Sequence, residues 1–74
     1  MHFDQELDAR GLACPMPIVK TKKTLTAMAQ GKVLKVVATD SGAVSDMKAF
    51  AEATGHELLS SESNGKEFVF FLKN

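Results

Sequence analysis

The one side chain in this sequence equipped for nucleophilic chemistry is Cys14, the only cysteine among 74 residues. It heads the run Cys14-Pro15-Met16-Pro17. Behind it Ile18, Thr21, Leu25, Met28 and Ala29 recur at three- and four-residue spacing on one face, with Lys20, Lys23 and Thr24 opposite. Proline has no backbone N–H and suits only the first turn of a helix. The pattern therefore places Cys14 at or near an N-cap, on a tip made rigid by Pro15 and Pro17. A free thiol has a pKa of about 8.5 and reacts as the thiolate. The positive end of the helix dipole, the Met16 and Ile18 N–H groups, and the cations Arg10, Lys20, Lys22 and Lys23 are all expected to favour that thiolate. A cysteine at a loop tip is seldom buried, so an outward-facing functional sulfur is expected rather than an apolar core spacer.

Absences narrow the chemistry. With no second cysteine, neither an internal disulfide nor dithiol exchange within the chain is available. His2 and His56 open predicted strands, so neither is placed as a base for Cys14, and two histidines with one cysteine are too few for a zinc cage. No metal and no cofactor are expected. Met28 and Met47 read as gap-fillers in the core. Met16, set between two prolines beside the thiol, reads as an exposed apolar contact for a partner.

The charges sum to zero, with nine Lys and Arg against nine Asp and Glu. They are not evenly spread. Between Ala9 and Thr39 lie Arg10, Lys20, Lys22, Lys23, Lys32 and Lys35 without a single acid, and every carboxylate falls outside that segment. Along the chain, Cys14 sits in the positive part. Such segregation bears on partners where the total does not.

The elements that must position Cys14 follow from periodicity. Residues 2–8 alternate, Phe3, Gln5 and Leu7 against Asp4, Glu6 and Asp8, as a half-exposed strand does. The first helix follows, with Gly31 as its terminating glycine. Residues 32–39, rich in Val and Leu, read as a mostly buried strand flanked by others. Asp40-Ser41-Gly42 leads into a second helix with Ala43, Met47, Phe50, Ala51 and Thr54 inward, closed by Gly55. Residues 56–62 and 66–73 form two strands joined through Asn64-Gly65 as a type I′ hairpin, with Phe68, Phe70 and Leu72 on one face and Val69 and Phe71 on the other.

The order βαβαββ implies an α/β two-layer sandwich: a four-stranded mixed sheet with two helices on one face, spanning residues 1–74 as one domain. Phe3, Leu7, Ile18, Leu25, Met28, Val33, Val36, Met47, Phe50, Leu58, Phe68 and Phe70 are the expected core. No apolar stretch approaches the 18 or so residues of a membrane span, and no basic-then-apolar leader opens the chain. With a lone thiol, a cytoplasmic location is expected.

The run Leu7-Asp8-Ala9-Arg10-Gly11-Leu12-Ala13-Cys14-Pro15-Met16-Pro17-Ile18, followed by Lys22-Lys23, Leu25, Gly31 and Gly55-His56-Glu57-Leu58, resembles the TusA family of small sulfur carriers, also called SirA-like proteins. The resemblance spans essentially the whole chain. It implies the same βαβαββ fold and a sulfurtransferase role in which Cys14 accepts a sulfane sulfur as a persulfide, with Pro15 and Pro17 as its mount. It also implies partners: a donor such as a cysteine desulfurase or rhodanese, and an acceptor protein in tRNA thiolation, cofactor synthesis or sulfur metabolism. From the charge pattern, Arg10, Lys22 and Lys23 are expected to hold the persulfide anion and steer acidic partner surfaces, and a monomer is expected of a molecule that visits two partners. The competing class is a non-catalytic regulatory module that binds protein or RNA through the basic helix face. Net neutrality and the lack of aromatics on the basic stretch count against direct nucleic-acid binding.

Overall fold

The computed structural model describes residues 2–74. Its elements are β1 (Gln5–Ala9), α1 (Met16–Ala27), β2 (Val33–Ala38), α2 (Ala43–Thr54), β3 (Glu57–Asn64) and β4 (Glu67–Lys73), the expected βαβαββ order. The strands form one mixed sheet in the order β1-β2-β4-β3. β1 runs parallel to β2, with Ala9 opposite Ala38, and β4 lies antiparallel to both β2 and β3. β2 is flanked on both sides, which is why its sequence carries so little charge.

Both helices cover the same face. Leu34, Val36 and Ala38 of β2, Ala9 of β1 and Phe70 and Leu72 of β4 meet Leu25 of α1 and Ala43, Met47, Phe50 and Ala51 of α2 in one cluster. The core uses many alanines because the helices must approach the sheet closely in so small a domain. Of the expected core, Phe3 and Val33 fall elsewhere. The chain bends at Asp4, whose backbone N–H donates to the Val33 carbonyl and whose carboxylate accepts the Val33 N–H at 2.9 Å. Phe3 is thereby carried to the opposite face, where its ring lies 6.1 Å from Phe71 and under the Lys35 ammonium. Leu34, not Val33, points into the core, because a period-two strand puts only alternate residues there.

Two termini also differ from expectation. α1 ends at Ala27 with Met28 as C-cap in an extended conformation, four residues short of Gly31. Gly31 instead serves the turn into β2, with φ of 84°. The hairpin pairs Asn64 with Glu67, so its two loop residues are Gly65 and Lys66. Of these two, only Gly65, the first loop position, has positive φ, the pattern of a type II′ turn rather than type I′.

The frayed end of α1 is closed by Asn74. Its side-chain amide donates to the Leu25 and Met28 carbonyls at 2.8 and 2.7 Å, and its backbone pairs with Gly31 and Lys32. The Leu25 carbonyl also accepts the Met28 N–H at 3.1 Å; both carbonyls lie at the carboxyl end of the helix, where the i+4 donors run out. Replacing Asn74→Ala removes these two side-chain bonds and a longer third one to the Ala29 carbonyl at 3.3 Å and is expected to cost about 1–2 kcal/mol, read as a lowered midpoint of urea unfolding with an unchanged slope.

Candidate functional site

β1 and β2 are adjacent and parallel, so both deliver the chain to the same edge of the sheet, and each strand is followed there by a helix start. The two connections are tied together where the Gly11 N–H donates to Thr39 Oγ1 at 2.9 Å. Cys14 lies in the first connection and Asp46 in the first turn of α2. Their side chains meet: the Cys14 thiol donates to Asp46 Oδ2 at 2.8 Å.

The local start of α1 differs from the sequence expectation by one residue. Pro15 is the N-cap, Met16 and Pro17 the first two helical residues, and Cys14 stands just outside, joined to Pro15 by a cis peptide bond. The N–H groups expected to approach the sulfur are spent on carbonyls instead: Met16 donates to Ala13, and Ile18 and Val19 donate to Pro15. Pro17 is buried under the helix and Thr21 beside it is satisfied by a 2.7 Å bond to the Pro17 carbonyl, so the first turn is anchored from below. Cys14 and Pro15 remain exposed above it.

The sulfur opens onto a shallow groove of about 390 Å³ between the helices. Cys14, Pro15 and Ile18 form one wall; Asp46, Ala49, Phe50 and Ala53 form the other. Ala49 and Ala53, one turn apart, keep the α2 side low, and the lining is mostly apolar. Met16 and Val19 on α1 and Val44 on α2 are each exposed by 41% or more, a concentration of solvent-facing apolar groups on the two helices that make the groove. His56 stacks on Phe50 at 5.7 Å and takes no part in the thiol's hydrogen bonding, and His2 pairs with Asp4.

The electrostatics at the sulfur run opposite to the expectation from chain position. The hydrogen bond to Asp46 pushes the Cys14 thiol up from its ordinary value, assisted by partial desolvation and by the charges of Asp46 and Asp40. No cation enters that balance. Arg10 is instead engaged by Glu67 Oε2 at 2.7 Å and Asp8 Oδ1 at 3.2 Å. Lys22 and Lys23 lie exposed along α1. The polarised sequence is therefore not a positive pole around the thiol.

Residues 5–74 match the family described as Sulfurtransferase TusA. The chain belongs to this family. It is 58% identical over 71 residues to the sulfur carrier protein TusA of Allochromatium vinosum, covering 96% of this chain and 93% of the relative. It is 45% identical over 73 residues to the putative sulfur carrier protein YrkI of Bacillus subtilis, covering 99% and 97%. A crystal structure of a SirA-like protein from Desulfitobacterium hafniense shares the fold, with a TM-score of 0.81 at 22% identity over 95% of this chain and 96% of that one. A sulfur-carrier role, with the donor and acceptor that such a role implies, follows from membership of the TusA family. Among the described residues, no helix is long and apolar enough to cross a membrane.

Asp46 is the site residue that the sequence reading missed. Thirty-two positions separate it from Cys14. The available signal was topological: a parallel β1–β2 pair puts the two helix starts side by side, which makes any polar residue in the first turn of α2 a neighbour of the Cys-Pro tip. Because Arg10 is committed to Glu67 and Asp8, Arg10→Ala should leave the pH profile of Cys14 alkylation by iodoacetamide superimposable on that of the unaltered protein.

Proposed function

We propose that this TusA-family protein is a sulfurtransferase that carries sulfane sulfur as a persulfide on Cys14 and relays it between two proteins. The observation that carries this reading is an exposed lone thiol at the mouth of an apolar groove, on a mount anchored by buried Pro17, in a family of sulfur carriers. Loading is a displacement. The Cys14 thiolate attacks the terminal sulfur of a donor persulfide, the donor's S–S bond breaks, and its electron pair leaves on the donor thiolate. The transferred atom remains a sulfane sulfur throughout, so no external oxidant or reductant is consumed. In discharge an acceptor thiolate attacks the outer sulfur and Cys14 departs as thiolate.

The roles divide accordingly. Pro15 and Pro17 fix the tip, Met16 supplies an apolar contact to partners, and Arg10 supports the site indirectly by tying the chain after β1 to the start of β4. Lys22 and Lys23 present positive charge to acidic partner surfaces. The donor is a cysteine desulfurase or a rhodanese-like protein, and the acceptor serves tRNA thiolation, cofactor synthesis or sulfur metabolism. The carrier acts as a cytoplasmic monomer, since its thiol must stay reduced and reach two partners in turn.

Incubation with a cysteine desulfurase and free cysteine should add one sulfur atom to the intact protein by mass spectrometry, reversed by a thiol reductant. Cys14→Ser should abolish that gain while leaving donor binding in place; retention of the gain would refute the assignment. Reversing charge with Lys22→Glu and Lys23→Glu together should slow loading severalfold at low salt, with the difference shrinking as the Debye length falls to about 3 Å near 1 M salt.

A further inference from the structure

Among the described residues the Cys14 sulfur has one hydrogen-bond partner, and that partner is an acid. At 2.8 Å from Sγ to Asp46 Oδ2, thiolate and carboxylate together would repel directly, so one of the two must hold the proton. The thiol is the donor and the carboxylate the acceptor, so the pair rests as thiol and carboxylate. Asp40 brings a second negative charge from the connection between β2 and α2. Gly42, the N-cap of α2, leaves room for Asp40: a Cβ there would stand 3.1 Å from Asp40 Oδ2, whereas its 3.7 Å to Asp46 Oδ2 would be an ordinary contact. From α2 comes Asp46, from the preceding connection Asp40, and from α1 no charge that acts on the sulfur. Among the described residues neither acid has a basic partner.

We propose that Asp46 is a positioning residue that grips the resting thiol in its protonated form, and that the exchange partner releases it by bringing a cation to the acid rim of Asp46 and Asp40. A lysine or arginine from the partner pairs with the Asp46 carboxylate and draws it off the S–H. The S–H bond then breaks, its proton passes to water, its electron pair stays on Sγ, and the thiolate is free to attack the incoming sulfur. The free carrier is thereby a poor nucleophile, and its reactivity appears where a suitable partner is docked. This rests on the reading of Cys14 as the sulfur-bearing residue.

The tests need no donor. The first is the pH profile of Cys14 alkylation by neutral iodoacetamide in the unaltered protein and in Asp46→Asn, which keeps the size and an acceptor oxygen but not the charge. The profile should move to lower pH in the variant. Each unit of movement gives about tenfold more thiolate at neutral pH and about threefold lower intrinsic nucleophilicity, a net gain of about threefold in rate. A merely structural Asp46 would leave the profile in place, and that result in a folded variant overturns the proposal. The second compares a cationic with an anionic methanethiosulfonate first on the unaltered protein, where no variant has to fold, and then on Asp40→Asn. The cationic reagent should be favoured relative to an unstructured cysteine peptide, and the preference should weaken in Asp40→Asn. Equal rates, or a preference for the anion, overturn the cation-bearing partner. Loss of the sulfur gain in the loading experiment, with these rates as expected, would refute the sulfur-bearing reading and leave the acid grip standing.

Discussion

The parallel pairing of β1 with β2 is the constraint on which the site depends. Two adjacent parallel strands end at the same edge of the sheet, and each must be followed by a crossover helix on a covering face. With Ala9 opposite Ala38, the starts of α1 and α2 emerge side by side. Neither helix has a side-chain cap: Pro15 and Gly42 occupy the N-cap positions. The local chemistry of these ends is therefore supplied by neighbours across the gap instead of by the helix itself. The contact between Cys14 and Asp46 is the product of that arrangement.

The charge distribution shows why order along a chain is a poor guide to potential at an atom. The segment from Ala9 to Thr39 is free of acids, yet the thiol within it is governed by Asp46 and Asp40. The cations of the same segment go elsewhere. Arg10 spans to β4, Lys35 lies over the Phe3 ring on the uncovered sheet face, and Lys22 and Lys23 project from α1 into solvent. Coulomb interactions fall with distance in space and are screened within about 8–10 Å at ordinary salt, so a helix carries its exposed charges out of reach of its own first turn within a few residues.

The fold was legible because periodicity and turn residues agree over most of the chain. β2 with its run of valines, α2 with its inward Met47 and Phe50 and terminal Gly55, and β4 with alternating faces were all evident from residue types. The errors fall at ends, where a local preference competes with a tertiary partner. Phe3 continues the alternation of β1 on paper, but the paired bonds between Asp4 and Val33 turn the chain before it. Gly31 looks like a helix terminator, but Asn74 supplies the carbonyl partners that let α1 stop at Ala27. Within the site, Cys14 and its proline mount were visible in the sequence because they are contiguous. Asp46 and the groove walls Ala49, Phe50 and Ala53 were not, since they come from a second helix whose placement depends on the sheet order.

A carrier must bind its cargo without holding it. An enzyme gains from donors aimed at a developing anion, because those interactions lower the barrier to a reaction it completes itself. A carrier furnished that way would stabilise the thiolate and the persulfide alike, and each increment of stabilisation would have to be overcome at discharge. In this molecule the amides of the first turn of α1 are paired with carbonyls, the prolines remove others, and an acid faces the sulfur. The protein contributes rigidity and an apolar half-groove and withholds electrostatic stabilisation. The groove walls come from the two helices and the Cys14-Pro15 tip, and its open side faces solvent, so on the proposed relay the remaining wall and the groups that favour the anion would come from the docked protein. On the proposed relay, direction of transfer would then be set by the partner rather than by the carrier.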